Sequence, residues 1–177
     1  YHHGEVSLHS TIIAMAQNFV GSNNINTLVP QGGFGSRAQG GDDAASPRYI
    51  KTYLQKLTGN LFIEDDKTVL ISTSDDDGKP CEPEYYVPII PFILVNGSIG
   101  IGTGYSCTIP SYNPLDLIHY VRNKINDKPT ETPYPWYRGF KGTVVKIGKD
   151  RYITKGKYKR TGAATIEITE LPIGMWT

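Results

Sequence analysis

Residues 30–53 read PQGGFGSRAQGGDDAASPRYIKTY, and their reading decides the fold. The stretch opens on glycines around Phe34 and passes through the polar run Gly40-Gly41-Asp42-Asp43. It ends on the β-prone Arg48-Tyr49-Ile50-Lys51-Thr52-Tyr53. Glycines and aspartates between two extended ends predict two arms joined by a long flexible loop, that is, a β-ribbon. Upstream, residues 5–19 predict an amphipathic helix. Leu8, Ile12, Met15 and Phe19 recur on one face, and Gly21 stops it. A helix, a short connector and a ribbon in this order suggest a small α+β module.

Within the ribbon an arginine stands directly beside a tyrosine, Arg48-Tyr49. A phenol with a pKa of about 10 is a poor nucleophile at neutral pH unless a cation stabilises its anion. A guanidinium does so, and its fork matches a phosphate. The pair is therefore chemically suited to attack a phosphodiester. The chain holds 12 tyrosines, most of which such chemistry does not concern, so the dipeptide alone does not select a nucleophile.

Composition sets outer bounds. At 177 residues and 19.6 kDa the chain accommodates one domain or two small ones. Hydrophobic content of 38% and a mean hydropathy of −0.33 describe a soluble globular protein. No apolar run approaches the roughly 20 residues that cross a bilayer, and no signal peptide opens the chain. Starting at Tyr1 rather than Met, it reads as a piece of a larger polypeptide. Cys81 and Cys107 lack metal-site spacing and read as reduced thiols.

The net charge of +1 conceals an asymmetry. Residues 1–60 carry four basic and three acidic side chains, residues 61–90 two and eight, and residues 91–177 twelve and six. Near-neutrality argues against a generic nucleic-acid binder, whereas a basic region set apart from an acidic one suits local phosphate contact.

A short helix is expected near residues 54–61. The acidic segment 64–84, with Asp75-Asp76-Asp77-Gly78, reads as an exposed turn or hairpin; no neighbouring motif makes its carboxylates a cation site. His2, His3 and Glu5 make a poor metal set because adjacent side chains do not share a helix face. Residues 87–95 form an apolar run expected to be buried. Residues 96–104, NGSIGIGTG, fail the G-x-G-x-x-G test at Tyr105 and fail the P-loop test at Thr103. Glycines on either side of Ile101 would instead let backbone approach DNA and expose one apolar wedge. Residues 114–125 predict a second helix, capped by Asn113, with Leu115, Ile118, Val121 and Ile125 on one face. Beyond Pro135 the pattern is β: residues 142–147 and 151–154 flank the turn Gly148-Lys149-Asp150, and residues 164–171 alternate.

Several long motifs occur in one order: YHHGE, QNFVGSNN, GGFGSR, SPRYI, NGSIGIGTG and ITELP. Over essentially the whole chain they resemble the DNA breakage-reunion region of type IIA DNA topoisomerases, in the single-polypeptide eukaryotic form. The uninterrupted Tyr1-His2-His3-Gly4 favours the eukaryotic or viral branch. The fold class implied is α+β: a winged-helix module with a β-ribbon wing over residues 1–62, an acidic exposed loop or hairpin over 63–84, and a mixed α/β tower-like domain with antiparallel strands over 85–177. The resemblance makes Tyr49 the nucleophile, with Arg48 and His3 acting on the scissile phosphate. His2, Gly4, Ser36, Arg37 and Lys51 would contact the DNA backbone, and Ile101, flanked by Gly100 and Gly102, would intercalate. It implies an ATP-dependent enzyme that breaks both strands through a 5′-phosphotyrosyl link and passes a second duplex. Double-stranded DNA and a second copy of the chain are the implied partners, and the nucleus or a viral compartment the implied setting, with no membrane. Mg2+ and ATP would be held by other modules, Mg2+ by a Toprim fold upstream. The alternative is a non-catalytic winged-helix DNA-binding module; a structural scaffold is a further rival.

Overall fold

The structure, a computed structural model, describes residues 3–177. Helix α1 (Glu5–Ala16) starts after Gly4, whose φ of +85° suits a glycine, and ends where Gln17 turns to an extended ψ. It is thus three residues shorter than the expected 5–19. Its inward face also differs: His9, Ile12, Ile13 and Ala16 turn inward, while Leu8 and Met15 are exposed. The apolar positions permit both stripes, and packing against the ribbon selects the second. His9, Ile12 and Ile13 face Phe34, Pro47 and Ile50 across a crevice of about 150 Å³.

Strands β1 (Leu28–Gln31) and β2 (Lys51–Leu54) pair antiparallel, with Leu28 opposite Leu54 and Gln31 opposite Lys51. The ribbon expected from residues 30–53 therefore forms, although its arms are shorter and GGFGSR belongs to the loop. One helical turn, α2 (Thr58–Leu61), follows, and its Thr58 hydroxyl donates to the Thr27 carbonyl. The acidic segment folds into the hairpin β3 (Ser72–Ser74) and β4 (Pro80–Pro83). At its turn the Asp75 carboxylate accepts from the amides of Asp77 and Lys79.

The run 87–95 is not buried as expected. Only Val95 is inside, at the heart of helix α3 (Phe92–Asn96), while Val87, Ile89 and Ile93 stay exposed. Prolines 88 and 91 interrupt the run, so its side chains cannot share one face. Strands β5 (Ser98–Gly102) and β6 (Tyr105–Ile109) form a regular hairpin. Helix α4 (Pro114–Ile125) is capped as expected, the Asn113 side chain accepting from the Leu115 amide at 2.9 Å. Its buried side chain is Leu117, not Leu115 or Ile125, which point outward. Strands β7 (Thr143–Gly148) and β8 (Arg151–Lys155) flank the expected turn. The alternating segment supplies β10 (Ile166–Glu170), which pairs with β9 (Lys157–Arg160), a strand the sequence pattern did not suggest.

All five sheets among the described residues are two-stranded and antiparallel. Such hairpins are marginal in water by themselves, and among the described residues the buried apolar side chains are few: Ala16, Phe34, Leu61, Val95 and Leu117. Polar staples therefore carry much of the assembly. Asn24, 5% exposed, donates through Nδ2 to the carbonyls of Val95, Tyr112 and Trp136, and accepts from the Arg138 amide. Asn96 pairs with Ile25 as a strand residue would, its amide group accepting from the Ile25 N–H and donating to the Ile25 carbonyl. These bonds join the first 26 residues to the second half of the chain.

Candidate nucleic-acid cleavage site

Tyr49 lies in a single 3-10 turn, Pro47–Tyr49, just before β2. Proline at the first position presets φ for that turn, and the Tyr49 amide donates to the Ser46 carbonyl. The ring is 74% exposed. The Arg48 guanidinium lies 5.2 Å from its centroid, within cation–π range. The dipeptide thus presents a phenol and a guanidinium together at the surface, one able to attack phosphorus and the other to meet the phosphate oxygens.

The loop bearing this turn spans residues 32–50 and is tied down rather than free. From α1, the Gln17 side-chain amide donates to the carbonyls of Phe34 (3.0 Å) and Gly41 (3.2 Å). Within the loop, the Gly41 amide reaches Ser36, the Ala45 amide reaches Gly33, and the Asp43 carboxylate accepts from the Ser36 amide at 2.7 Å. That last bond holds the Asp43 carboxyl below the usual carboxylate range. From the far end of the chain, the Arg37 guanidinium pairs with Glu170 and donates to the Leu171 carbonyl at 3.0 Å. Thr177 donates to the Ala38 carbonyl from both its amide and its hydroxyl. The Trp176 indole closes on Gly40, where a β-carbon would collide with it and where φ is +63°.

The remaining candidates spread over two places. His3 and Gly4 stand at the start of α1. A groove of about 510 Å³ separates that helix from the loop, with Val6 and His9 on one wall and Asp42 and Pro47 on the other. The groove ends at Val6 on the helix and at Pro47, the residue before Arg48, on the loop. Lys51, exposed, is the first residue of β2. Ser36 and Arg37 sit at the tied apex, and the Arg37 nitrogen that holds Glu170 is engaged there. His2 lies outside the described residues. Gly100, Ile101 and Gly102 occupy the second place, the β5–β6 tip. Ile101 is 88% exposed, and a side chain at Gly102 would strike the Tyr105 ring opposite it. Gly102 is thus small so that an aromatic ring can lie across the ladder.

Sequence reasoning did not single out Gln17, Asn24, Asp43, Glu170 or Trp176. Gln17 and Asn24 fall inside QNFVGSNN and Glu170 inside ITELP, so the motifs marked them without saying what they do. No three or more His, Cys, Asp or Glu side chains among the described residues are placed to hold a metal ion. No helix among them is long and apolar enough to cross a membrane.

The family model of the DNA gyrase/topoisomerase IV A-subunit matches residues 1–177, and the chain belongs to that family. Among its members, the chain is most simply compared with the DNA topoisomerase 2 proteins. It is 52% identical to the probable DNA topoisomerase 2 of Dictyostelium discoideum and 52% identical to the DNA topoisomerase 2 of Saccharomyces cerevisiae, matching over 100% of its own length and 12% of theirs. The DNA topoisomerase 2 of Acanthamoeba polyphaga mimivirus is 51% identical over 100% of this chain and 14% of that protein. The chain therefore spans about an eighth of these relatives. Among solved structures, the DNA-binding, cleavage and re-ligation domain of Plasmodium falciparum topoisomerase II superposes with a TM-score of 0.95 at 52% identity, covering 99% of this chain and 24% of that one. The mixed α/β architecture with antiparallel hairpins is that domain's fold.

Proposed function

We propose that this chain is the nucleophile-bearing part of a type II DNA topoisomerase, with Tyr49 as the residue that breaks DNA. The observation that carries the reading is the exposed Arg48–Tyr49 pair on a loop pinned from three directions. The Tyr49 oxygen attacks phosphorus in line, a phosphotyrosyl bond forms to the 5′ strand end, and the P–O3′ bond breaks. The proton leaves the phenol and the departing sugar oxygen ends as a 3′-hydroxyl. One phosphoester replaces another, so the 3′-hydroxyl can reverse the step without new energy. Arg48 stabilises charge on the phosphate oxygens, an electrostatic contribution that often dominates phosphoryl transfer. His3, with His2 beside it in sequence, approaches the same phosphate from the helix start, and Gly4, Ser36, Arg37 and Lys51 border the backbone track. Ile101 enters between base pairs and bends the duplex, Gly100 and Gly102 leaving room for close approach.

In the longer protein Mg2+ and ATP belong to modules outside this chain. Two copies of the chain, related by a two-fold axis, would cut the two strands of a duplex. Residues 1–62, 63–84 and 85–177 are the working units of the proposal, and the nucleus or a viral compartment its setting. In the full-length enzyme, trapping with denaturant is expected to leave protein covalently attached to DNA. Tyr49→Phe is expected to abolish the adduct while sparing DNA binding. An adduct that persists in the variant would remove Tyr49 from the chemistry.

A further inference from the structure

The Tyr49 phenol is exposed, and the loop that carries it spans residues 32–50, so its position is inherited from whatever holds that loop. Two of the holds are local, from Gln17 and Asp43. The third comes from 133 residues away. Glu170, at the end of β10, keeps its side chain only 4% exposed, and it makes an ion pair with Arg37 at the loop apex while its second oxygen accepts from the Lys141 amide. A carboxylate removed from water in this way is sustained by its partners; without its charge, the Arg37 guanidinium would be left half-buried with its opposite charge gone. Thr177 and Trp176 then fasten the next residues, Ala38 and Gly40, to the same C-terminal strap.

We infer that Glu170 is a positioning residue for strand cleavage: by holding Arg37 it sets the apex of the loop and, through it, the place of Tyr49 over the scissile phosphate. The inference rests on Tyr49 being the nucleophile. It also gives Arg37 a job beyond phosphate contact, because one of its terminal nitrogens is engaged by Glu170 and the Leu171 carbonyl. Misplacing a reacting group by about 1 Å can cost on the order of 100-fold in rate, whereas DNA affinity is spread over many backbone contacts, of which Glu170 touches Arg37 alone.

The test uses the full-length enzyme with plasmid or linear duplex DNA and measures single-turnover adduct formation beside equilibrium DNA binding. Glu170→Gln is expected to slow adduct formation by about 10- to 100-fold with DNA affinity within about twofold. If Glu170 acts through Arg37, the effect of Glu170→Gln shrinks to less than about threefold in an Arg37→Gln background, the signature of a coupled pair. Adduct formation at the wild-type rate, a parallel loss of DNA binding, or an undiminished effect in the Arg37→Gln background each overturns the inference. Should Glu170→Gln not fold, Glu170→Asp decides: slowed cleavage at unchanged affinity supports the inference, and wild-type cleavage overturns it. Tyr49→Phe assayed alongside separates the two failures, since an adduct surviving there removes the nucleophile assignment and not the Glu170–Arg37 linkage.

Discussion

Between Gln31 and Lys51, which pair across one ribbon, the chain makes a 19-residue excursion, whereas Gly102 and Tyr105, which pair across the other, are joined by two residues. Each ribbon delivers a side chain to solvent, Tyr49 from the long excursion and Ile101 from β5 beside the short turn. The β5–β6 tip is placed by its own ladder, with Ile101 opposite Ser106 and Gly102 opposite Tyr105. The Tyr49 loop has no ladder and is placed by side chains from α1, from its own middle and from the C-terminal strap. A wedge that intercalates needs only to protrude, and a short hairpin suffices. The nucleophile proposed at Tyr49 must meet one phosphorus atom in line, and ties from several parts of the chain suit that demand.

The contrast can be broken most forcefully at Arg48. Arg48→Ala in the full-length enzyme is expected to lower single-turnover adduct formation by about 10²- to 10³-fold while leaving DNA bending by the other hairpin unchanged. A bend lost together with cleavage would mean that the two regions do not act separately. Asn24→Ala tests the joint between them. Losing its buried bonds to Val95, Tyr112, Trp136 and Arg138 should cost about 2–3 kcal/mol of local stability. Amide hydrogen exchange in α3 and the adjoining 110–113 segment should then quicken roughly 30- to 150-fold, while the β3–β4 hairpin exchanges as before.

Ile101→Ala sharpens the other side of the comparison. Removing most of the wedge is expected to weaken bending, read by end-to-end fluorescence transfer on a short duplex. Cleavage should follow by about tenfold through lost apolar contact. The smallest effect concerns Asp43. Its carboxyl sits below the ordinary range because it accepts from the Ser36 amide, so its contribution is present above the ordinary carboxylate value and is lost as pH falls through the depressed one. Asp43→Asn at neutral pH should accelerate exchange of the Ser36 amide by no more than a few-fold. Acidifying the wild type through that window should do the same, and the β5–β6 amides should respond to neither.

Much of this was legible in the chain. Turn residues between β-prone arms located the ribbon, Asn113 and Pro114 located α4, and glycines on either side of Ile101 marked a side chain that the structure leaves exposed. Each of these signals is local: a φ preference, a cap or a two-residue turn acts within a few positions. The inward faces were less legible. Leu8, Ile12, Met15 and Phe19 make as good a stripe on paper as His9, Ile12, Ile13 and Ala16. Likewise Leu115 and Leu117 stand on opposite sides of α4, and spacing alone does not say which side is covered. The run 87–95 misled for a related reason: apolar composition says that a segment can be buried, not that something covers it.

By itself, the sequence determined where the chain bends and many of the elements that form, and it offered a dipeptide whose chemistry suits a phosphodiester, because those properties depend on residues next to one another. Only the tertiary structure decided that Asn24 staples the two halves, that Arg37 faces Glu170 across 133 residues, and that a flexible-looking loop is held in place. A polar side chain's partner is set by what folding brings within about 3 Å of it, and no spacing along the chain encodes that distance.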